Sequence, residues 1–246
     1  MTVKVTWLGH ACVLLDYEDT TIIIDPWIEN PKYPGDEYKP KKIDVMLITH
    51  GHNDHFGNAI ELAKEYKPAI IPVIHEMSVY LEGKDVENVV GMNYGGIVNY
   101  KEIKIALVPS SHSSGFSDET GMVYMGTPAG YVISFPDGNI FYHCGDTGVT
   151  AEMNIIRDLY CPTIGLLAIG GHYTMGPKQA AYAAKMMNLR TVIPIHWGTF
   201  VPPLNGTPEK LMNHLDESTI EVKALEPGES IEFPSLADSD AKSFYS

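Results

Sequence analysis

The stretch IDVMLITHGHNDH (43–55) places a dense group of metal-binding side chains directly after a run of apolar residues. The run is short and rich in branched aliphatic side chains, which is typical of a buried β-strand. Four imidazole and carboxylate groups follow within six residues, at His50, His52, Asp54 and His55. Both groups bind first-row metal ions, and a turn can direct them to adjacent ions, whereas a regular strand would alternate them between its faces. The pattern therefore predicts a metal centre rather than a solvated polar turn.

Three further apolar segments end near a side chain of the same chemical type. IKIALVPSSH ends at His112, NIFYHCGDTG contains Asp146, and TVIPIHWG contains His196. Taken singly, each has a structural interpretation: a loop histidine, an Asx turn, and a core histidine whose hydrogen bonds are satisfied. Ligand sites in layered α/β proteins gather at the carboxyl ends of strands, however. We therefore expect these three side chains to join the first four.

Short apolar segments alternate with amphipathic ones, which predicts a layered α/β protein with sheets inside and helices outside. The predicted strands cover residues 3–8, 11–17, 20–25, 43–49, 69–74, 103–109, 130–135, 139–144, 163–169 and 191–196. The predicted helices cover residues 56–67, 151–160, 177–189 and 207–217. Long loops are expected at 29–42 and 110–129. We predict a single domain over residues 1–233 and a disordered tail at 234–246.

The composition argues against several classes of protein. The chain has 246 residues, of which 44% are hydrophobic and 20% charged, as in an ordinary globular protein. Lys and Arg number 17 against 31 Asp and Glu, a net charge of −14, which disfavours binding to extended DNA or RNA. No apolar run approaches the about 20 residues of a membrane span, and no signal-peptide pattern follows Met1. We therefore expect a cytoplasmic protein without a membrane partner.

Five motifs together resemble a known family. They are TWLGHA (6–11), THGHNDH (49–55), GDTG (145–148), IGGHYTMGP (169–177) and PIHWGT (194–199). With the order of the predicted ligands, they resemble the metallo-β-lactamase superfamily, and within it the metal-dependent hydrolases related to L-ascorbate-6-phosphate lactonase. The resemblance extends over roughly residues 3–233. It implies a four-layer αββα sandwich with a binuclear metal site.

The resemblance also implies a role for each ligand. One divalent ion would be held by His50, His52 and His112, and a second ion by Asp54, His55 and His196. Asp146 would bridge the two ions, and Asp25 would orient a ligand from behind. Zinc is the first expectation for both ions, while manganese and iron also suit a site made only of nitrogen and oxygen ligands.

Such a site predicts a hydrolase without a serine or cysteine nucleophile. A hydroxide between the two ions would attack an ester, lactone or phosphodiester of a small molecule, and Asp54 could orient the attacking water. His10 and His172 match positions that border the pocket in the family that the chain resembles. We expect His172 to stabilise the transition state or to protonate the leaving group. For His10, a turn histidine that is hydrogen-bonded to the backbone is an equal alternative.

Two other functions stay open. An RNA phosphodiesterase of the tRNA 3′-processing type shares the pattern HxHxDH, although the acidic charge balance counts against it. The second alternative is a non-catalytic metal-binding protein with a relict site, and the complete ligand set argues against such decay. A homo-oligomer is compatible with the sequence, because soluble enzymes commonly form one.

Overall fold

The computed structural model describes residues 1–236. Its strands are β1 Thr2–Trp7, β2 Val13–Tyr17, β3 Thr20–Ile24, β4 Val45–Leu47, β5 Ile71–Ile74, β6 Val89–Met92, β7 Ile97–Tyr100, β8 Ile103–Pro109, β9 Gly115–Asp118, β10 Gly121–Tyr124, β11 Ala129–Ser134, β12 Ile140–His143, β13 Ile164–Ala168, β14 Thr191–Ile195, β15 Glu221–Val222 and β16 Ser230–Pro234. Its α-helices are α1 Asn53–Phe56, α2 Ala59–Tyr66, α3 His75–Glu82, α4 Glu152–Tyr160, α5 Pro177–Met186 and α6 Pro208–Leu215. A 3-10 turn covers Asp36–Tyr38.

Two large mixed sheets form the centre of the protein. The first has the order β16-β1-β2-β3-β4, and the second has the order β15-β14-β13-β12-β11-β8-β7. In the first sheet only β3 and β4 are parallel, while in the second the run from β12 to β15 is parallel. Two small sheets complete the structure, a parallel pair of β5 and β6 and an antiparallel pair of β9 and β10.

The residues of β8 show how the layers are built. Ile105 and Leu107 belong to the apolar core that includes β1, β2 and β3 of the other sheet. Ala106 and Val108 alternate with them and belong to a second core, which is formed with helices α4, α5 and α6. Because side chains alternate along a strand, a strand buried on both faces supplies both cores. The result is the expected αββα sandwich.

The predicted elements are present, most of them with shorter bounds, while β8 has the predicted bounds and β1 and β11 are shifted by one residue. The helix predicted at 56–67 is divided in two. Gly57 separates α1 from α2 with a φ of 43°, and a Cβ atom there would lie 2.5 Å from the Cα of Trp27. Only glycine fits this combination of positive φ and close backbone approach. As a result, the short helix α1 begins within the histidine motif, and Asp54 and His55 lie on it.

The long loop predicted at 110–129 contains the hairpin of β9 and β10. The strands GFSD and GMVY are short, largely polar and partly exposed, so they lack the apolar alternation from which a strand is predicted. Four other strands are not predicted from the sequence for the same reason, because none of them has a continuous run of buried apolar residues. They are β6, β7, β15 and β16.

The end of the described chain returns to the first strand. Pro234, the first residue of the predicted tail, pairs with Thr2 in the first sheet. The amide groups of Ser235 and Leu236 donate to the carbonyls of Met1 and Asp137. Residues 237–246 of the predicted tail lie outside the described residues. Among the helices between residues 1 and 236, none combines the length and apolar character needed to cross a membrane.

Candidate metal centre

The predicted ligands meet at one edge of the sandwich. Four of them follow β4 of the first sheet, and the others follow β8, β12 and β14 of the second. All four strands end at this edge, so loops that are far apart in sequence converge there. The structure brings together all seven predicted ligands: His50, His52, Asp54, His55, His112, Asp146 and His196.

His50, His52 and His112 form the first group, in which one ring nitrogen of each residue lies within 4.8 Å of the others. The Nε2 atom of His50 and the Nδ1 atom of His52 are 3.0 Å apart. Gly51 lies between these two histidines, and a Cβ atom there would come within 2.4 Å of the Cβ atom of Met125. Its amide donates to the Ser114 hydroxyl at 3.1 Å, which fixes the backbone between the two ligands.

The second group contains Asp54, His55 and His196, and it also contains His10. The Nε2 atom of His196 lies 3.9 Å from Oδ2 of Asp54, and Nε2 of His10 lies 3.1 Å from the same oxygen. From the sequence, His10 is expected near the pocket but not among the ligands. The structure puts its imidazole in direct contact with one of them.

Asp146 lies between the two groups. Its Oδ1 atom is 3.2 Å from Nε2 of His55, while its Oδ2 atom is 3.1 Å from Nε2 of His196 and 3.6 Å from Nε2 of His112. One carboxylate therefore faces imidazoles of both groups, which is the arrangement expected of a shared ligand.

Asp25 contacts His55 at Nδ1, the ring nitrogen that faces away from Asp146. Its Oδ2 atom lies 2.7 Å from Nδ1 of His55 and accepts a hydrogen bond from the Thr49 hydroxyl at 2.8 Å. Its Oδ1 atom accepts a hydrogen bond from the Thr49 amide, also at 2.8 Å. A carboxylate on the far nitrogen of a ligating histidine fixes the orientation of the ring and its tautomer.

The buried charges alter the acidity of the ligands. Burial lowers the pKa of His50 well below its usual value, and to a smaller degree it lowers the pKa of His52 and His112. Although burial acts in the opposite direction, the imidazoles of His196 and His55 hold the pKa of Asp146 well below the usual range. Against the effect of burial, the carboxylates of Asp146 and Asp25 raise the pKa of His55 well above its usual value. Metal ions bind neutral imidazoles and ionised carboxylates, so an ion bound here would replace the proton of His55.

The donor set fits divalent cations. Among the described residues, three buried atoms lie close together in the site without the alignment of a hydrogen bond, namely His55 Nε2, Asp146 Oδ1 and His196 Nε2. Buried polar atoms rarely lack a partner, and a cation between them would satisfy all three.

A cavity of about 360 Å³ opens above the ligands. Its lining consists of His52, Asp54, His112, Ser113, Asp146, Tyr173 and His196. His10 is completely buried and lies outside this lining. His172 is exposed and also lies outside it, with its ring 4.4 Å from the ring of Tyr173. The structure thus brings Tyr173 into the cavity, while the proposed chemical role of His172 stays a prediction.

Four hydroxyl groups around the ligands are not predicted from the sequence. They belong to Thr49, Ser113, Ser114 and Thr199, each of which lies in sequence within three residues of a predicted ligand. Their positions next to the ligands are visible in the sequence, but serine and threonine are common in loops. Only the contacts distinguish them from ordinary loop residues.

Comparison with known proteins agrees with this geometry. A family model described as a beta-lactamase superfamily domain matches residues 4–196, which include every residue of the metal centre. A UPF0173 metal-dependent hydrolase from Koribacter versatilis is 44% identical over 229 residues, which cover 92% of this chain and 97% of the relative. A second one from Methanopyrus kandleri is 42% identical over 234 residues and covers 93% of this chain and 99% of the relative.

A solved structure shows the same likeness in three dimensions. Igni18, a metallo hydrolase from Ignicoccus hospitalis, has a TM-score of 0.85 and 38% sequence identity to this chain. The match covers 95% of this chain and 99% of Igni18. Since sequence and fold agree over almost the whole length, the protein belongs to the UPF0173 metal-dependent hydrolase family of the beta-lactamase superfamily.

Proposed function

We propose that this protein is a hydrolase that holds two divalent metal ions and cleaves an ester, lactone or phosphodiester bond of a small molecule. The position of Asp146 between two groups of ligands is the observation that carries this proposal. His50, His52 and His112 would hold one ion, while Asp54, His55 and His196 would hold the other. We propose zinc for both positions, and metal analysis distinguishes it from manganese and iron.

The residues of the cavity suit hydrolysis at such a pair of ions. When two divalent ions are bound close together, they lower the pKa of a water molecule and polarise the oxygen of the bond under attack. Asp54 lines the cavity with 29% of its side chain exposed, so its carboxylate can accept a hydrogen bond from the attacking water. Tyr173 would contact the substrate, and His172 on the same turn would supply the proton for the leaving group.

The size and charge of the cavity support a small substrate. Its volume of about 360 Å³ is at the lower end of the range for small-molecule sites. Among the described residues that line it, none is a lysine or an arginine. The substrate would therefore be oriented by the metal ions and by neutral groups such as the Tyr173 and Ser113 hydroxyls.

Metal analysis of the purified protein is the first test. We expect about two equivalents of zinc, manganese or iron per chain, together with hydrolysis of at least one nitrophenyl ester, lactone or bis(nitrophenyl) phosphate. In Asp146→Asn the side chain keeps its shape but loses the charge that both groups of ligands share. We expect this variant to lose metal and to fall at least 100-fold in turnover, a loss on the order of that caused by removing one strong electrostatic group from an active site.

Asp216→Asn is the matched control, because Asp216 is an exposed carboxylate at the end of α6. It should bind metal and turn over substrate like the wild type. A wild-type protein that binds no metal even in excess zinc or manganese would disprove the proposal, and so would full activity in Asp146→Asn.

A further inference from the structure

His10 connects two predicted ligands of the second ion through different parts of the same residue. Its Nε2 atom lies 3.1 Å from Oδ2 of Asp54. Its backbone carbonyl accepts a hydrogen bond from the amide of His196 at 2.8 Å. Asp54 follows the first sheet and His196 the second, so one residue of the β1–β2 turn links the two halves of this ligand group.

The hydrogen bonds fix the orientation of the His10 ring. Its Nδ1 atom lies 2.9 Å from the Thr199 hydroxyl. A lone pair on Nε2 would repel the Asp54 carboxylate, so Nε2 carries the proton and donates it, and the Thr199 hydroxyl donates to Nδ1. The Trp197 carbonyl, the other acceptor near this hydroxyl, is 3.5 Å away and too distant to compete.

The surroundings of His10 separate it from substrate. The residue has no exposed surface, and its ring contacts the rings of Trp27 and Phe200 at centroid distances of 5.3 and 5.7 Å. Asp54 and His196 line the cavity, whereas His10 lies behind them. A proton donor for a leaving group needs access to the cavity or to the solvent beside it. His172 is exposed next to Tyr173, whereas His10 has no exposed surface.

The backbone of His10 is held in place by a further contact. The indole nitrogen of Trp7 donates to the His10 carbonyl at 2.9 Å, so this oxygen accepts two hydrogen bonds. The φ of His10 is 52°, in the left-handed region that residues other than glycine rarely adopt. Such a conformation persists where the surrounding contacts determine it strongly.

We infer that His10 is a positioning residue that sets the affinity of the second metal position through its contacts with Asp54 and His196. This inference rests on the proposed binuclear site and adds a role within it. Outer residues of this kind typically change metal affinity by about 10–100-fold when they are replaced. The atoms of His10 belong to the cluster that contains Asp54, His55 and His196, and not to the one formed by His50, His52 and His112, so the affinity of the first position should not change.

Zinc titration by calorimetry tests this inference on the metal-free full chain. We expect two equivalents in the wild type. In His10→Asn one equivalent should bind as in the wild type, while the Kd of the other should rise about 10–100-fold. Thr199→Val removes only the partner of Nδ1 and should weaken the same equivalent by a smaller factor. The control His214→Ala replaces an exposed histidine of α6 and should bind both equivalents normally.

Cobalt loading distinguishes a positioning residue from a direct ligand. At saturating cobalt, His10→Asn should regain the wild-type absorption spectrum, because the ligands themselves are unchanged. A spectrum that stays altered at saturation would make His10 a ligand and overturn the inference. It would also be overturned if both equivalents bound normally in His10→Asn, or if both weakened equally in Thr199→Val. A wild type that binds no zinc would instead disprove the proposed function.

Discussion

Asp146 is buried among imidazoles, and the negative charge of its carboxylate is the property that this environment requires. An isolated buried charge is costly, whereas a charge shared between cations or protonated groups is stabilised. The contacts of Asp146 with His55, His112 and His196 use both of its oxygens. A neutral amide could occupy the same volume, but it could not balance the charge of two metal ions.

His172 and Tyr173 occupy adjacent positions with different surroundings. Tyr173 lines the cavity although 57% of it is exposed, and His172 packs against its ring from outside. We expect His172→Ala to keep the wild-type metal content, because the His172 ring packs on Tyr173 and belongs to none of the described ligand clusters. Turnover should fall at least tenfold, since a positioned proton donor typically contributes about 10²–10⁴-fold. Metal analysis and steady-state kinetics on the same preparation check this prediction.

Two controls separate the possible results for His172. His214→Ala removes another exposed histidine, distant in sequence from the site, and should have wild-type kinetics. Tyr173→Phe keeps the ring on which His172 packs but removes its hydroxyl. A His172→Ala protein that had lost its metal would show that His172 supports the ligands, and the assignment as a proton donor would be wrong.

The hairpin of β9 and β10 contacts the metal-binding turn at Asn53 and the helices α1 and α3 at Phe56 and Tyr80. Both polar atoms of the Asn53 side chain contact the backbone of Ser117 at 3.3 Å. On the inner face, the Phe116 ring lies 4.6 Å from that of Phe56 and 5.8 Å from that of Tyr80. The outer face carries Met122 and Tyr124, which are 72% and 65% exposed. The hairpin is therefore anchored on one side only.

Replacement of one aromatic residue on each face tests this anchoring. Phe116 pairs directly with Val123, so Tyr124 points to the opposite face of the hairpin. We expect Phe116→Ala to lower the free energy of unfolding by about 1–3 kcal/mol, less than the loss for a fully buried phenylalanine. Tyr124→Ala should change it by no more than about 0.5 kcal/mol, as is usual at the surface. Denaturant unfolding measures both values, and equal losses would contradict the one-sided anchoring.

The whole molecule is held together at the ligand edge by contacts between the two sheets. The Tyr131 hydroxyl, from the second sheet, shares its proton between two carbonyl oxygens. It lies 3.0 Å from that of Ile48, directly after β4 of the first sheet, and 2.8 Å from that of Pro72 in β5 of the small parallel sheet. The predicted ligands also come from loops of both sheets. Bound metal ions would therefore cross-link the two halves of the sandwich.

Removal of the metal should destabilise the entire fold. An ion whose free concentration is about 1,000 times its Kd contributes roughly 4 kcal/mol to the free energy of unfolding, because it binds the folded chain and not the unfolded one. For a protein of this size each ion therefore corresponds to about 8–16 °C in Tm, and chelation of both proposed ions should lower Tm by roughly twice that amount. Calorimetric scans with a chelator, and again after addition of excess zinc, measure the loss and its recovery.

The double variant His50→Ala/Asp146→Ala provides the control for chelation. It lacks ligands from both groups, so its Tm should be low and should not respond to chelator or to zinc. If the double variant lost as many degrees as the wild type on chelation, the stabilising ion would be bound elsewhere, and the metal centre would not cross-link the sheets.

The amino-acid sequence was sufficient to predict the layered fold and the seven residues that meet in the candidate metal centre. Buried strands such as β8 and β14 consist largely of apolar residues, and this pattern depends only on local periodicity. The turn at residues 50–55 concentrates metal-binding groups within a few positions, so its chemistry is also local. The positions of His112, Asp146 and His196 near the ends of apolar segments joined them to this group, and the family resemblance assigned a role to each ligand.

Other features depend on contacts between segments that are far apart in the chain. Thr199 lies 189 positions from His10, yet its hydroxyl orients the His10 ring. His172 and Tyr173 are adjacent in the same turn, but only Tyr173 lines the cavity. Which of the two side chains points into the cavity depends on how this turn packs. Local patterns specify strands, helices and candidate ligands, but the direction of a side chain in a loop is set by its neighbours in space. Those neighbours are assembled only when the two sheets pack together.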